Sequence, residues 1–245
     1  MRTPGPEPEL SIVVPAHDEA ASLARLVEEV EAGVLGRGIR AELIVVDDGS
    51  ADATAEVLAR LAERRPWLRV LRHGRRLGQT AALRTGVAAA RGAAVATLDA
   101  DGQNDPADLP EMLARLHHRG GDADFVQGVR VDRRDGVSKR AASAVGRLAR
   151  RVALGDRVRD AGCSTRVVRA EVAAAWPLGR PGMHRFLPAL SAAAGFRVVE
   201  VPVNHRARAA GRSHYGNLGR GARGLRDLIA VRGILRRARP AGGPG

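Results

Sequence analysis

The chain has 245 residues, of which 44% are hydrophobic and only 2% aromatic, and its formal net charge is +13 at pH 7. This length suits one large α/β domain or two small ones, with a core built from Ala, Val and Leu. The single cysteine excludes an internal disulfide, and no Cys/His cluster has zinc-binding spacing. The charge favours a polyanionic partner, namely a nucleic acid, an anionic membrane or a phosphorylated substrate, whereas arginines spread over solvated faces are the alternative.

Neither end of the chain predicts a membrane segment. Residues 1–9 are rich in Pro and contain no apolar h-region, so they do not resemble a signal peptide. The most apolar late segment, residues 225–235, is interrupted by Arg226, Asp227 and Arg232. We expect residues 1–9 and 239–245 to be disordered tails.

Strands and helices alternate along the first half of the chain. Short apolar runs predict strands at residues 10–14, 42–46, 68–71, 93–98 and 124–127. Helices are predicted between them at residues 19–32, 52–64, 79–91 and 106–118. Ser50 or Asp52 is expected to cap the second helix. This alternation predicts an α/β fold with a doubly wound, mostly parallel sheet and helices on both faces, which binds ligands at the carboxyl ends of its strands.

The pattern is looser after Gly128. We expect a basic loop, a basic helix, a strand, a polar loop and a final basic helix, at residues 130–136, 137–154, 196–203, 207–215 and 217–239. The final helix carries a Leu/Ile stripe among many arginines, so it either packs on the domain or lies on an anionic bilayer. No internal repeat occurs, and we expect a single domain.

Two carboxylates follow the predicted strand at residues 93–98. Asp99 and Asp101 are two residues apart, so at a strand end their side chains can point the same way. Hard oxygen ligands of this kind suit Mg²⁺ or Mn²⁺, which typically carries a diphosphate. A turn before a helix is the structural alternative for this pair. We interpret the pair as an indication of nucleotide chemistry.

Two other loops follow predicted strands and would reach the same edge of a parallel sheet. One covers residues 14–19 and the other residues 46–50. Each loop alone is a weak signal, because Asp-Gly and Ser are ordinary turn and cap residues. Three such loops, each after a strand, are far more specific together.

These segments resemble family 2 glycosyltransferases with the GT-A fold, and most of all the polyprenyl-phosphate (dolichol-phosphate) mannosyltransferase group. The resemblance rests on residues 13–19, 45–52 and 98–101, with further matches at 78–83, 126–130, 160–163, 199–203 and 211–216. It implies one glycosyltransferase domain over residues 10–238. A nucleotide-sugar half would cover residues 10–128, and an acceptor half with the basic C-terminal helix would cover residues 129–238.

The resemblance also implies roles for single residues in donor binding. Pro15, His17 and Glu19 would line the nucleotide pocket, where the family often has Tyr in place of His17. Asp47 or Asp48 would accept a hydrogen bond from the base or ribose.

The same resemblance places the metal and the diphosphate at the third loop. Asp99, Ala100 and Asp101 would hold the nucleotide diphosphate together with Mg²⁺ or Mn²⁺, and Gln103 is a possible further metal ligand. Asp99, Asp101 and Arg130 are therefore the expected catalytic residues.

Cationic side chains in the second half are expected to bind phosphate. The resemblance implies that Arg130 and Arg208 face phosphate charge, which suits a guanidinium fork. The family's late Ser-Lys pair is Ser213-His214 here, so His214 would contact the diphosphate only as a protonated ring or neutral donor. Arg212 beside it is a possible substitute.

Two features that family members acting on hydroxyl acceptors often carry, a Glu-Asp pair and a Gln-x-x-Arg-Trp run, are absent from the sequence. A phosphate acceptor needs little general-base help, because it is already ionised at neutral pH. It needs cations to bring two anions together, and Arg133, Arg134, Lys139 and Arg140 lie in the right segment.

The expected function is inverting transfer of a sugar from a UDP- or GDP-linked donor to a polyprenyl phosphate, by a cytoplasmic enzyme peripheral to the membrane face. One alternative is a glycosyltransferase of the same fold that acts on a saccharide or protein hydroxyl. Another is a basic module without catalysis that binds nucleic acid, which the scarcity of aromatics for base stacking disfavours. A third is an inactive relative, because His214 replaces the family's Lys.

Overall fold

The computed structural model describes residues 7–116, 120–131, 149–155, 158–206 and 231–233. Its strands are β1 (Leu10–Ala16), β2 (Ala41–Asp47), β3 (Leu68–Arg72), β4 (Ala94–Thr97), β5 (Phe125–Arg130), β6 (Arg166–Arg169) and β7 (Val198–Val203). Its helices are α1 (Ala20–Gly33), α2 (Thr54–Glu63), α3 (Gln79–Ala89), α4 (Leu109–Ala114), α5 (Ala170–Ala174) and α6 (Leu187–Ala193). Short 3₁₀ turns lie at Leu35–Arg37, Pro106–Asp108 and Met183–Arg185.

The described strands form one sheet in the order β3-β2-β1-β4-β6-β5-β7. Strand β6 is antiparallel to both of its neighbours, whereas all other pairs are parallel. The carboxyl ends of the parallel strands therefore share one edge with the amino end of β6. We call this edge the carboxyl edge.

Both faces of the sheet are covered by helices, as predicted. On β1, Ile12 and Val14 belong to the same apolar cluster as Leu26 of α1. Val13, between them, faces the opposite side and joins a cluster with Leu83 of α3. Strands buried on both faces read as continuous apolar runs, which is why period-two alternation is weak in this sequence.

Helix α3 lies unusually close to the sheet. A Cβ added at Gly86 would lie 2.3 Å from Val13 Cγ1. The glycine is therefore required for close packing, and it helps to set the position of the amino end of α3 at the carboxyl edge.

The first five predicted strands and first three predicted helices are confirmed, with ends that differ by no more than three residues. The predicted helix at 106–118 is instead the 3₁₀ turn Pro106–Asp108 followed by α4, and residues 117–119 lie outside the described residues. The strand predicted from residue 196 begins at Val198. Strand β6 and helices α5 and α6 were not predicted.

Helix α2 begins at Thr54 with Ala53 as its N-cap, so neither Ser50 nor Asp52 occupies the expected cap position. Asp52 Oδ1 accepts a hydrogen bond from Thr54 N–H at 2.9 Å. Ser50 Oγ instead accepts from Asp18 N–H at 3.0 Å, so Ser50 joins two loops rather than capping a helix.

Several late predictions fall mostly on residues that the structure does not describe. Residues 149–154 and 231–233 are helical, in agreement with the predicted basic helices at 137–154 and 217–239. The predicted loop at 207–215 lies outside the described residues. None of the described helices is long and apolar enough to cross a membrane.

Candidate functional site

The loops after β1 and β2 are joined to each other at the carboxyl edge. Asp48 N–H donates to Ala16 O at 2.8 Å, and His17 Nδ1 lies 3.0 Å from Asp48 O. Glu19 N–H donates to Thr54 Oγ1 at 2.9 Å. The structure thus brings the first two predicted loops together.

Asp18 lies at the centre of this junction and has a backbone φ of 55°. This left-handed conformation is uncommon for a residue with a side chain. Here the side chain compensates, because Asp18 Oδ1 accepts from Ala51 N–H at 2.8 Å.

Pro15, His17 and Glu19 all lie at this edge and are half-buried. Pro15 lies beyond the paired part of β4, which ends at Val13 opposite Thr97, so its missing N–H disrupts no ladder bond with that strand. His17 Nδ1 donates to a carbonyl, and one Glu19 carboxylate oxygen accepts from Ser22 Oγ at 3.2 Å. Glu19 therefore has a structural role at the start of α1.

Asp48 has both carboxylate oxygens occupied. Oδ1 lies 2.7 Å from His73 Nδ1 and accepts from Leu77 N–H at 2.8 Å, while Oδ2 accepts from Gly78 N–H at 2.7 Å. Burial alone would raise the pKa of Asp48, but these hydrogen bonds and the His73 ring lower it overall. Asp48 thus anchors the loop that leads into α3.

Asp47 is differently placed. Its Oδ1 accepts from Ser50 N–H at 2.9 Å. Its Oδ2 is buried and lies 3.1 Å from Arg72 Nε, yet it accepts no hydrogen bond of good geometry from the described residues. Of the two candidates for base recognition, Asp47 retains acceptor capacity.

Asp99 and Asp101 lie in a turn and not on the strand, because β4 ends at Thr97. The expectation that strand alternation aligns them is therefore wrong. Asn104 holds the turn: its Oδ1 accepts from Asp99 N–H at 2.8 Å, and its Nδ2 donates to Thr165 Oγ1 at 2.8 Å. Asp101 Oδ1 accepts from Gln103 N–H at 3.1 Å.

The two carboxylates nevertheless lie close enough for their charges to interact. Burial and then the charge of Asp101 raise the pKa of Asp99. Crowded carboxylates of this kind are stabilised by a divalent cation, so these residues fit Mg²⁺ or Mn²⁺. No group of three His, Cys, Asp or Glu side chains suited to a metal occurs in the described part of the chain. The amide oxygen of Gln103, the further ligand expected from the sequence, lies in the same turn.

Gln103 and Ala100 lie in the same turn but offer different atoms to a ligand. The Gln103 amide nitrogen donates to Arg206 O at 3.3 Å, which leaves its Oε1 as the atom able to bind a metal. Ala100 is 3% exposed and its methyl group is part of the core, so it offers only backbone atoms to a ligand.

Arg130 lies at the end of β5 and forms a two-pronged ion pair. Its Nε and Nη2 each donate to Asp160 at 2.8 Å. Because Asp160 balances its charge, Arg130 attracts a phosphate less strongly than an unpaired arginine would. Asp160 lies in the segment 160–163 that resembles the family, and the resemblance implied no role for it.

Arg166, at the amino end of β6, was missed altogether. It is 4% exposed, and its Nε donates to Gln127 Oε1 at 2.9 Å. Burial lowers the pKa of Arg166 overall, and the charges of Asp99 and Asp160, among others, only partly offset this effect. An arginine at the start of a short strand with charged ends gives no local signal of a site, because only the antiparallel position of β6 brings it to the carboxyl edge.

Six predicted cationic residues and one neighbour cannot be placed. The residues that lie outside the described part of the chain are Arg208, His214, Arg212, Arg133, Arg134, Lys139 and Arg140.

The pattern of the family described as "Glycosyl transferase family 2" matches residues 11–176. The chain is 39% identical over 242 residues to a dodecaprenyl-phosphate galacturonate synthase of Rhizobium johnstonii, covering 95% of this chain and 69% of the relative. It is 35% identical over 207 residues to an undecaprenyl-phosphate 4-deoxy-4-formamido-L-arabinose transferase of Pseudomonas aeruginosa, covering 84% of this chain and 60% of that relative. The chain thus spans between three fifths and about two thirds of these relatives.

Solved structures agree on the fold. A glucosyl-3-phosphoglycerate synthase from Mycobacterium tuberculosis, in complex with Mn²⁺, UDP and glucosyl-3-phosphoglycerate, matches with a TM-score of 0.68 at 22% identity, over 97% of this chain and 83% of that one. A mannosyltransferase from Pyrobaculum calidifontis, in complex with GDP-Man and Mn²⁺, matches with a TM-score of 0.66 at 21% identity, over 97% of this chain and 66% of that one. The sequence match and the shared fold together show that this chain belongs to glycosyltransferase family 2 and has the GT-A fold.

Proposed function

We propose that this protein transfers a sugar, with inversion, from a nucleotide-sugar donor to a polyprenyl phosphate. The observation that carries the proposal is that the charges of Asp101 and Arg130 both act on Asp99 at the carboxyl edge, where β2 also ends at Asp47. The two relatives named above, whose names give lipid-phosphate acceptors, support the same acceptor class.

The donor would lie along the loops after β1, β2 and β4. Asp47 Oδ2 would accept a hydrogen bond from the base, because Asp48 has no free oxygen. Arg72, the side chain against this oxygen, is 58% exposed and able to move aside. His17 and Pro15 would line the same pocket.

Asp99 and Asp101, with Gln103 as a further ligand, would hold Mg²⁺ or Mn²⁺, which neutralises the leaving diphosphate when bound. The raised pKa of Asp99 supports this assignment, because a nearby cation would relieve the repulsion that raises it. Asn104 and Gln79 hold the turn in place through Asp99 N–H and Asp99 Oδ1.

The acceptor phosphate would enter beside β5 and β6. Asp160 fixes the orientation of the Arg130 fork, and the buried Arg166 adds positive charge behind it. An ionised phosphate attacks without a general base, so these residues need only guide and orient it. We assign Arg208 and His214 to the same phosphate-binding segment on the resemblance alone.

A transfer assay tests this function. Purified protein with Mn²⁺ and undecaprenyl phosphate in detergent receives radiolabelled UDP-galacturonic acid, UDP-glucose or GDP-mannose in separate reactions. We expect label from one donor to enter the organic phase only when undecaprenyl phosphate is present. Label that enters only water-soluble saccharide would indicate a hydroxyl acceptor instead. No transfer, together with DNA binding that weakens steeply with salt, would indicate a binding module without catalysis.

We further propose that the protein works at the membrane surface as a peripheral enzyme on the cytoplasmic face. A polyprenyl acceptor is confined to the bilayer, and a net charge of +13 favours an anionic lipid surface.

A further inference from the structure

His184 is a polar side chain next to the site that the proposed chemistry does not use. It lies in the 3₁₀ turn Met183–Arg185, after Gly182, which has a φ of 86°. Its Nδ1 lies 2.7 Å from Thr80 Oγ1 in the first turn of α3. The preceding residue, Gln79, donates to Asp99 Oδ1 at 3.0 Å. His184 is therefore linked through two adjacent residues to the proposed diphosphate turn.

The hydrogen bonds around Thr80 determine which nitrogen of His184 carries the proton. Gly182 N–H, which can only donate, donates to Thr80 Oγ1 at 3.0 Å. Thr80 is 5% exposed, so its own hydroxyl hydrogen needs a partner, and His184 Nδ1 supplies it. Nδ1 is then the accepting nitrogen, and the proton of the neutral ring is on Nε2.

The ring stays neutral in the functional pH range. Burial, followed by the charges of Arg185 and Arg166, lowers the pKa of His184 to about 3. The residue is nevertheless half-buried and not sealed. No described residue forms a hydrogen bond with Nε2, so this N–H is a donor with no protein acceptor in the described part of the chain.

We propose that His184 binds the donor sugar, its Nε2–H donating a hydrogen bond to a hydroxyl or carboxylate oxygen of the group that is transferred. This inference rests on the proposed function, because it requires a nucleotide-sugar donor at Asp99. Since the ring is neutral, it contributes through geometry and not through charge, which suits the recognition of a sugar. Arg166 and Arg185, whose charges reach the ring, would favour an anionic oxygen such as a uronate carboxylate.

Two substitutions separate this role from a purely structural one. His184→Asn places an oxygen near the position of Nδ1 and can keep the Thr80 hydrogen bond, but it has no donor at the position of Nε2. His184→Gln places an amide nitrogen near the position of Nε2. Calorimetry with Mn²⁺ measures the binding of UDP, UDP-galactose and UDP-galacturonic acid, and of GDP and GDP-mannose, to each protein.

We expect His184→Asn to bind the nucleotide sugar about tenfold more weakly while its affinity for the free nucleotide is unchanged. His184→Gln should stay within about threefold of wild type for both ligands. A loss confined to UDP-galacturonic acid identifies the carboxylate as the partner, and a loss shared with UDP-galactose or GDP-mannose identifies a hydroxyl.

Other outcomes overturn the inference. Equal weakening of free nucleotide and nucleotide sugar would place His184 at the diphosphate. Equal behaviour of the Asn and Gln variants, in parallel with their melting temperatures, would make His184 structural. If wild-type protein binds nucleotides but no nucleotide sugar, only the sugar contact fails; if it binds neither, the proposed function fails with it.

Discussion

The carboxylates at the carboxyl edge differ in what the fold leaves them free to do. Both carboxylate oxygens of Asp48 accept hydrogen bonds, from His73 and from the N–H groups of Leu77 and Gly78 before α3. Asp47 Oδ2, in contrast, has only an ion pair with the largely exposed Arg72. The two residues are adjacent and chemically identical, so only their hydrogen-bond partners assign them different roles. Asp48 stabilises the loop, and Asp47 Oδ2 has no hydrogen-bond partner among the described residues and is our proposed contact to the base.

Replacing each residue by asparagine should separate these roles. Asp48→Asn places an NH₂ group against N–H donors, so we expect a loss of about 1–3 kcal/mol in the free energy of unfolding. Asp47→Asn can keep the Ser50 N–H bond and should unfold nearly as wild type, but with nucleotide affinity reduced about tenfold or more. Urea unfolding and calorimetry measure the two effects. The opposite pattern would move the base contact to Asp48.

The Asp99–Asp101 pair carries the proposed metal site, and Asp101 is the cleaner residue to test. Asp101→Asn keeps an oxygen for Gln103 N–H but removes one of the two crowded charges. We expect turnover to fall by at least about 100-fold, and nucleotide binding to lose its dependence on Mn²⁺. Asp122→Asn, at an exposed position paired with Arg115, is the matched control and should leave both unchanged. Activity close to wild type in Asp101→Asn would refute the site.

At the scale of elements, a buried network holds the sheet together on the side away from the site. Glu42 of β2 accepts from Ser11 Oγ of β1 at 2.6 Å and from Arg69 Nη1 of β3 at 2.6 Å. It also accepts from Arg91 N–H, just after α3, at 2.8 Å. One carboxylate thus links three strands and a helix end. Burial alone would raise the pKa of Glu42, but these partners lower it overall.

This network makes the free energy of unfolding depend on pH in the acid range. Because the folded pKa of Glu42 lies below its ordinary value of 4.5, the unfolded chain binds more protons as the pH falls through this region. Its contribution is complete above pH 4.5 and is lost as the pH drops through the folded pKa. We expect Glu42→Gln to lose about 1–3 kcal/mol of unfolding free energy at pH 7 and less at low pH. Urea titrations at several pH values measure this.

Glu63→Gln, at an exposed position at the end of α2, serves as the control and should change stability by less than about 0.5 kcal/mol at every pH. An equal loss for Glu42→Gln at low and neutral pH would mean that the charge of Glu42 does not contribute.

Strand β6 was not predicted because local sequence patterns do not reveal tertiary partners. Strand β6 has the sequence Arg-Val-Val-Arg, and charged ends of this kind argue against a central strand. In the fold, Arg166 reaches Gln127 on β5, and Arg169 reaches Asp124 at 2.9 Å. These tertiary partners bind both guanidinium groups, so a strand that looks polar pairs with β4 and β5 in the middle of the sheet.

At the scale of the whole molecule, the net charge of +13 is the main guide to where the protein works. We expect it to sediment with phosphatidylglycerol vesicles at low salt and not with phosphatidylcholine vesicles. About 1 M salt, where the Debye length is about 3 Å, should release it if charge alone holds it. Binding that resists salt would indicate insertion of an apolar face. Equal sedimentation with both vesicle types at low salt would contradict the electrostatic account.

The sequence by itself determined the α/β architecture and three of the site loops. These features are local: apolar runs make strands, and the residues after them reach the carboxyl edge once the strands are parallel. Hence Pro15, His17, Asp47, Asp48, Asp99 and Asp101 could all be named without coordinates. The separate roles of Asp47 and Asp48 could not, because hydrogen-bond partners 25 to 30 residues distant decide them.

Only the tertiary structure revealed Arg166 and His184 and the partner of Arg130. Arg166 reaches the carboxyl edge because β6 runs antiparallel, whereas Asp160 is bound there by Arg130 and His184 by Thr80, 104 residues away. The pKa values of Arg166 and His184 are also lowered by burial, which adjacent residues in the chain do not encode. The partners of the proposed acceptor-binding residues are thus a property of the fold, whereas the loops of the proposed nucleotide site follow from the sequence.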